Sequence, residues 1–168
     1  LSVEEYKKGQ LYYATIKTKG TIYKKKELAN NPLLPTGLLP TVFVSTAKDW
    51  SEIINYMAPK YEKAINGKLP AKFERIVEQA KKYSTDIEKI NFVTSEIVKN
   101  VAYSGDWRNQ TRMFYSRGHN EVVRESKGDC KDFATSITGI LRKLGYKANV
   151  AIVLSSAAST RILKDVPV

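Results

Sequence analysis

The sequence predicts an α+β domain in which several helices pack on an antiparallel sheet, preceded by a strand-rich N-terminal piece. Three observations carry this expectation. β-forming, partly alternating residues occupy the first stretch, apolar residues recur at three- and four-residue steps in four segments between Trp50 and Leu144, and Ala148-Asn149-Val150-Ala151-Ile152-Val153-Leu154 is apolar enough to lie inside a sheet. With 168 residues and 42% hydrophobic content, the chain can bury one principal core with a small appendage.

Taken in order, Leu11-Tyr12-Tyr13-Ala14-Thr15-Ile16-Lys17 reads as a strand, and Gly20 then separates it from Thr21-Ile22-Tyr23, which suggests a hairpin turning at that glycine. Prolines at 32, 35 and 40 with Gly37 make an extended connector, and Thr41-Val42-Phe43-Val44 is a short strand candidate. A boundary is therefore expected near residue 40, with residues 1–40 closing a preceding β domain and residues 41–168 forming the main core. Beyond it, Trp50, Ile53, Ile54, Met57 and Tyr61 follow a Thr46-to-Asp49 capping pair and predict one amphipathic helix. Asn66-Gly67 turns the chain, Pro70 suits a first helical turn, and Phe73, Ile76, Val77 and Ala80 line a second helix. Thr85 and Glu88 form a capping box for a third, with Ile87, Ile90, Ile97, Val98 and Val101 as its apolar residues and its end near Asn100. Residues 104–127 lack periodicity and read as a loop, of the length that is usually functional when ordered. Phe133, Ile137, Ile140, Leu141 and Leu144 mark a fourth helix closed by Gly145.

Composition narrows the function. One cysteine excludes an internal disulfide framework and any multi-thiolate zinc site. Against 17 Asp plus Glu stand 28 Lys plus Arg, a net charge of +11 that attracts anions over several ångströms. The lysine groups Lys7-Lys8, Lys24-Lys25-Lys26 and Lys81-Lys82 lie far apart, without RNA-binding aromatic signatures or zinc-finger spacing, so nucleic acid is not the expected partner. No apolar run reaches the ~20 residues of a membrane-spanning helix. The chain begins at Leu1, as a processed or excised fragment does, so the lack of a leader leaves compartment open, cell envelope and exterior included.

The chemistry concentrates at Cys130. Asp129 is a good N-cap for the fourth helix and puts Cys130 in its first turn, where unpaired amides and the helix dipole favour a thiolate. Lys131 adds to this, while Asp129 and Asp132 oppose it. Position alone supports a reactive thiol and a small packed thiol at a helix terminus equally.

Gly128-Asp129-Cys130-Lys131-Asp132-Phe133-Ala134, followed by Leu141-Arg142-Lys143-Leu144-Gly145-Tyr146-Lys147-Ala148, resembles the nucleophile helix and following strand of the transglutaminase-like superfamily, which has the papain-like cysteine fold. Upstream, Ile97-Val98-Lys99-Asn100-Val101-Ala102-Tyr103 resembles that family's helix ending in a valine-x-tyrosine signature, and residues 117–127 resemble its approach to the nucleophile. Residues 40–50, with Ser45-Thr46-Ala47-Lys48-Asp49-Trp50, are similar to the junction in bacterial proteins where a β-sandwich domain precedes this domain. The resemblance spans residues 40–154, and its specific part is the cysteine motif.

What the resemblance implies is acyl transfer through a Cys130 thioester on a peptide or protein substrate, ending in hydrolysis or transamidation, with no metal or organic cofactor. The family's histidine and acid lie after the cysteine. Here no histidine follows Cys130, and Asp165 would precede the histidine it should orient, so a C-terminally incomplete domain, inactive as cut, is expected. The single histidine, His119, lies eleven residues before Cys130 and is a candidate base, because cysteine–histidine pairing depends on geometry and not on chain order. Trp107, Asn109 and Gln110 are candidates for an oxyanion donor or site loop. A binding or scaffolding module with the same fold and no turnover is the alternative from a different class, and the oligomeric state is open.

Overall fold

The structure is a computed structural model that describes residues 2–17, 19, 45–105 and 113–152. It divides into two compact units, with Ala47–Val153 forming one of them. In the N-terminal unit, β1 (Ser2–Lys8) pairs antiparallel with β2 (Leu11–Lys17) from Ser2↔Lys17 to Lys8↔Leu11. The turn between them is Gly9-Gln10, with Gly9 at φ 63, the positive value a primed two-residue turn asks of its first position; the hairpin expected at Gly20 lies outside the described residues. Tyr6 and Tyr13 stack across the pair with centroids 5.1 Å apart. The prolines, the 41–44 run and Thr21-Ile22-Tyr23 lie outside the described residues.

The helical unit starts with α1 (Trp50–Ile65), whose cap lies three residues later than Thr46: the Asp49 carboxylate accepts from the amide of Glu52, and Glu52 accepts from that of Lys48. Pro59 sits inside α1, where it removes one ladder bond. α2 (Ala71–Ala80) is N-capped by Pro70 and buries all four expected residues. α3 (Asp86–Asn100) carries the expected Thr85–Glu88 capping box. Its buried face is Val93 and Ile97, continued by Val101, whereas Ile87 and Val98 are exposed by 72% and 60%. Isolated apolar positions at the wrong azimuth stay wet because the neighbouring helices cover only one stripe.

Between α3 and the cysteine, the expected loop contains α4 (His119–Glu125), missed because a seven-residue helix shows barely two turns of periodicity. Its end, Ser126 in the left-handed region at φ 51, leads into β4 (Lys127–Gly128), which pairs parallel with β3 (Ala102–Tyr103). α5 (Cys130–Lys143) follows and ends with Gly145 at φ 95, the amide of Tyr146 returning to the carbonyl of Leu141. Among the described residues the helical unit thus holds five helices and one short parallel ladder, and the antiparallel pair belongs to the other unit. The chain is mixed α+β.

One core joins α2, α3, α4 and α5: Phe73, Val77, Ala80, Val93, Ile97 and Ile140 have no exposed surface. Burying each large member is worth roughly 1.5–3 kcal/mol, enough to fix where α5 lies. The expected strand after α5 is not formed in its described part. Residues 148–152 are irregular and Ile152 is 72% exposed, while Arg142 takes the carbonyl of Ala148 at 2.7 Å. A β-forming run becomes a strand only beside a partner edge, and no strand lies along it among the described residues.

Candidate functional site

The turn that presents Cys130 is built from hydrogen bonds. Ala102 and Ser104 donate backbone N–H groups to the carbonyls of Ser126 and Gly128 at 2.9 and 2.8 Å, fixing the chain just before α5. Gly128 is required here, because a Cβ would stand 2.8 Å from the Cβ of Asp132. Asp129 is the N-cap: its carboxylate accepts from the amide of Lys131 at 3.0 Å and also holds the Lys131 ammonium. Asp132 completes a capping box by accepting from the amide of Asp129 at 3.0 Å. Cys130 is the first helical residue and is exposed. Its own amide makes no hydrogen bond among the described residues, as expected of an orphan donor at a helix start.

Asp132, 2% exposed, also reaches residues 116 and 117, accepting from the amide of Arg117 at 2.7 Å and, at 3.2 Å, sharing the one proton of the Ser116 hydroxyl with the carbonyl of Arg117, which lies 2.9 Å from that hydroxyl. The Arg117 guanidinium donates to the carbonyl of Lys127 at 3.0 Å and lies 3.7 Å from Asp132 and 3.6 Å from Glu125. Upstream, the Tyr61 hydroxyl donates to the carbonyl of Phe114 at 3.0 Å. Burial, and then the negative charges of Asp129, Cys130 and Asp132, push the Tyr61 phenol up to about 12, so it remains a donor. Lys60 lies over the rings of Tyr56 and Tyr115 at 3.8 and 4.1 Å. Hydrogen bonds that the ammonium donates to those two phenol oxygens raise its pKa.

Gly128, Asp129, Cys130, Lys131 and Asp132 therefore form one constellation. His119 does not join it. At 2% exposed, its Nε2 meets the carbonyl of Ile65 at 3.1 Å, and the ring lies edge-on to Phe73 and against Gly139, whose Cβ would stand 2.7 Å from Nε2. Gly139 is nine residues past Cys130 on α5, ~13 Å along the axis at ~1.5 Å per residue, too far for proton transfer. Because a carbonyl only accepts, Nε2 carries the proton, and burial lowers the ring's pKa against the opposing effect of that bond. The expectation of His119 as base is withdrawn. Trp107, Asn109 and Gln110 lie outside the described residues.

Ser116 and Tyr61 are neighbours of the cysteine turn that sequence reasoning missed, and Arg117 entered it only as the first residue of the segment that resembles the approach to the nucleophile. Tyr61 was visible only as an apolar position, although a tyrosine at the end of such a face usually needs a partner for its hydroxyl. Nothing local marks Ser116 or Arg117, since their partner lies about fifteen residues on. Among the described residues, no three of His, Cys, Asp and Glu are grouped to hold a metal ion, and no helix is long and apolar enough to cross a membrane.

A family model, described as the transglutaminase-like superfamily, matches residues 74–164, more than half of the chain. No match was found among curated proteins or among solved structures.

Proposed function

The chain belongs to the transglutaminase-like superfamily, and from that premise we propose that it is a cysteine acyl-transfer domain with Cys130 as nucleophile and a peptide or protein amide as substrate. The observation that carries this reading is an exposed thiol at the first residue of a doubly capped helix, beside its own unengaged amide. Sulfur attacks the carbonyl carbon, the N–H of Cys130 donates to the developing oxyanion, and the C–N bond breaks as the amine leaves with a proton. Water then adds to the thioester, the C–S bond breaks, and a carboxylic acid and the free thiol result.

Hydrolysis is the favoured outcome over transamidation. Transfer to an amine needs water kept from the thioester, and Cys130 is open to solvent. His119 faces the carbonyl of Ile65, so among the described residues no imidazole stands beside Cys130 to take the thiol proton as an amide is attacked. A reactive ester circumvents that step.

The test uses a peptide p-nitrophenyl ester. A burst of about one equivalent of nitrophenolate per chain, with the acyl mass on the Cys130 peptide, is expected before slower steady release, and a Cys130→Ser variant should release none above buffer. Equal release from both proteins would overturn the reading and leave a fold without acyl chemistry.

A further inference from the structure

We infer that Asp132 is a positioning residue: through Ser116 and Arg117 it locks the segment 114–117 to the turn that carries Cys130, so that acylation takes place against a fixed wall. This rests on the acyl-transfer reading and deepens it.

The helical unit contains two capping boxes, and the difference between them is informative. Glu88 of α3 is exposed, and its carboxylate accepts from the amide and the hydroxyl of Thr85, at the start of its own helix. Nothing beyond the first turn depends on it. Asp132 of α5 is 2% exposed and divides its oxygens: Oδ2 accepts from the amide of Asp129, while Oδ1 accepts from Arg117 and Ser116. Burying a carboxylate is costly, and a helix cap alone does not require it, as Glu88 demonstrates. What the burial adds is the tie between two chain segments.

That tie continues on both sides. Arg117 reaches back to the carbonyl of Lys127, two residues before the N-cap, so its backbone and its side chain both fasten the segment to the turn. Three residues earlier, the carbonyl of Phe114 is held by Tyr61 on α1, and the Tyr115 ring lies edge-on to Tyr56 at 6.5 Å. Phe114 itself is 54% exposed. The segment therefore offers aromatic surface while its backbone is fixed at residues 114 and 117. A substrate chain laid along it meets Cys130 at a set distance, which is the condition for an efficient attack.

The experiment separates thiol reactivity from substrate positioning. Iodoacetamide is small and needs no wall, whereas the peptide p-nitrophenyl ester does. In Asp132→Asn, alkylation of Cys130 is expected to stay within about threefold of wild type, and acylation by the ester to fall by about ten- to a hundredfold. Ser116→Ala, which leaves the helix cap intact, should lower acylation by about fivefold. If alkylation and acylation fall together in both variants, or acylation holds in both, the inference is overturned.

A second measurement is independent of catalysis. The amide of Arg117, donating to a buried carboxylate, should exchange with deuterium at least about tenfold faster in Asp132→Asn, while that of Ile97 in α3 keeps its protection. If wild type forms no acyl-enzyme, the acyl-transfer reading fails, and Asp132 is then judged on this exchange alone: unchanged protection at Arg117 overturns the lock.

Discussion

The two ends of α5 are held by different forces. From residue 135 onward the helix lies in a core where Phe73, Val77, Val93, Ile97 and Ile140 are fully buried, and its position follows from apolar area. Its first turn instead depends on Asp129 and Asp132, both buried, and on hydrogen bonds between 2.7 and 3.2 Å to residues far away in sequence. Apolar packing is non-directional and sets where a helix sits; hydrogen bonds are directional and set how one residue is presented. A side chain presented at the edge of a core needs both, and the two can be perturbed separately.

The largest expected effect breaks the core end. Phe73→Ala removes a fully buried ring that also meets His119, and should cost ~3–5 kcal/mol in urea unfolding. Below the transition, Cys130 should still be alkylated at the wild-type rate. A change in that rate without unfolding would show that the two ends are not separable.

Two glycines sharpen the contrast with the same added methyl. At Gly139 a Cβ meets His119 Nε2 at 2.7 Å and the backbone oxygen of Ile65 at 3.0 Å, and at Gly128 it meets the Cβ of Asp132 at 2.8 Å. Each alanine should cost ~1–3 kcal/mol. Only Gly128→Ala should also slow acylation of Cys130; equal slowing by Gly139→Ala would contradict the division drawn above.

The pH dependence of stability probes the core end more gently. Burial lowers the His119 pKa in the folded chain, so the unfolded chain binds the proton first as pH falls through ~6.5. The stability contributed by the neutral ring is thus complete above that value and declines below it. The urea midpoint should drop less between pH 7 and pH 5.5 in His119→Gln than in wild type; parallel profiles would show that the ring does not titrate with unfolding.

The smallest effect lies on the surface between α1 and α5. Arg142 makes two bonds to Glu62, at 2.6 and 2.9 Å, and this half-exposed pair lowers the Glu62 pKa. Glu62→Gln should cost ~0.5 kcal/mol and lose its effect at high salt. A larger loss, insensitive to salt, would mean that α5 is positioned by this pair as well as by the core.

How far the sequence reaches can be judged from particular residues. Helix termini were legible wherever the signal is local. Thr85 with Glu88, Pro70 before α2, Asp129 before Cys130 and Gly145 after α5 all stand within a turn of the backbone group they satisfy. The α1 cap was misplaced because Thr46–Asp49 and Asp49–Glu52 have the same spacing. Ile87 and Val98 could not be told from Val93 without knowing which side of α3 meets α2 and α5.

By itself, then, the sequence determined the four longer helices, the cap in front of Cys130 and, through the glycine-acid-cysteine motif, the family. Only the tertiary structure decided that His119 belongs to the core, that Asp132 binds Ser116 and Arg117, and that residues 148–152 stay irregular. The physical reason is range. Propensity and capping act across three or four residues of one chain, whereas the partner of a buried imidazole or carboxylate is chosen by which segments the core brings together.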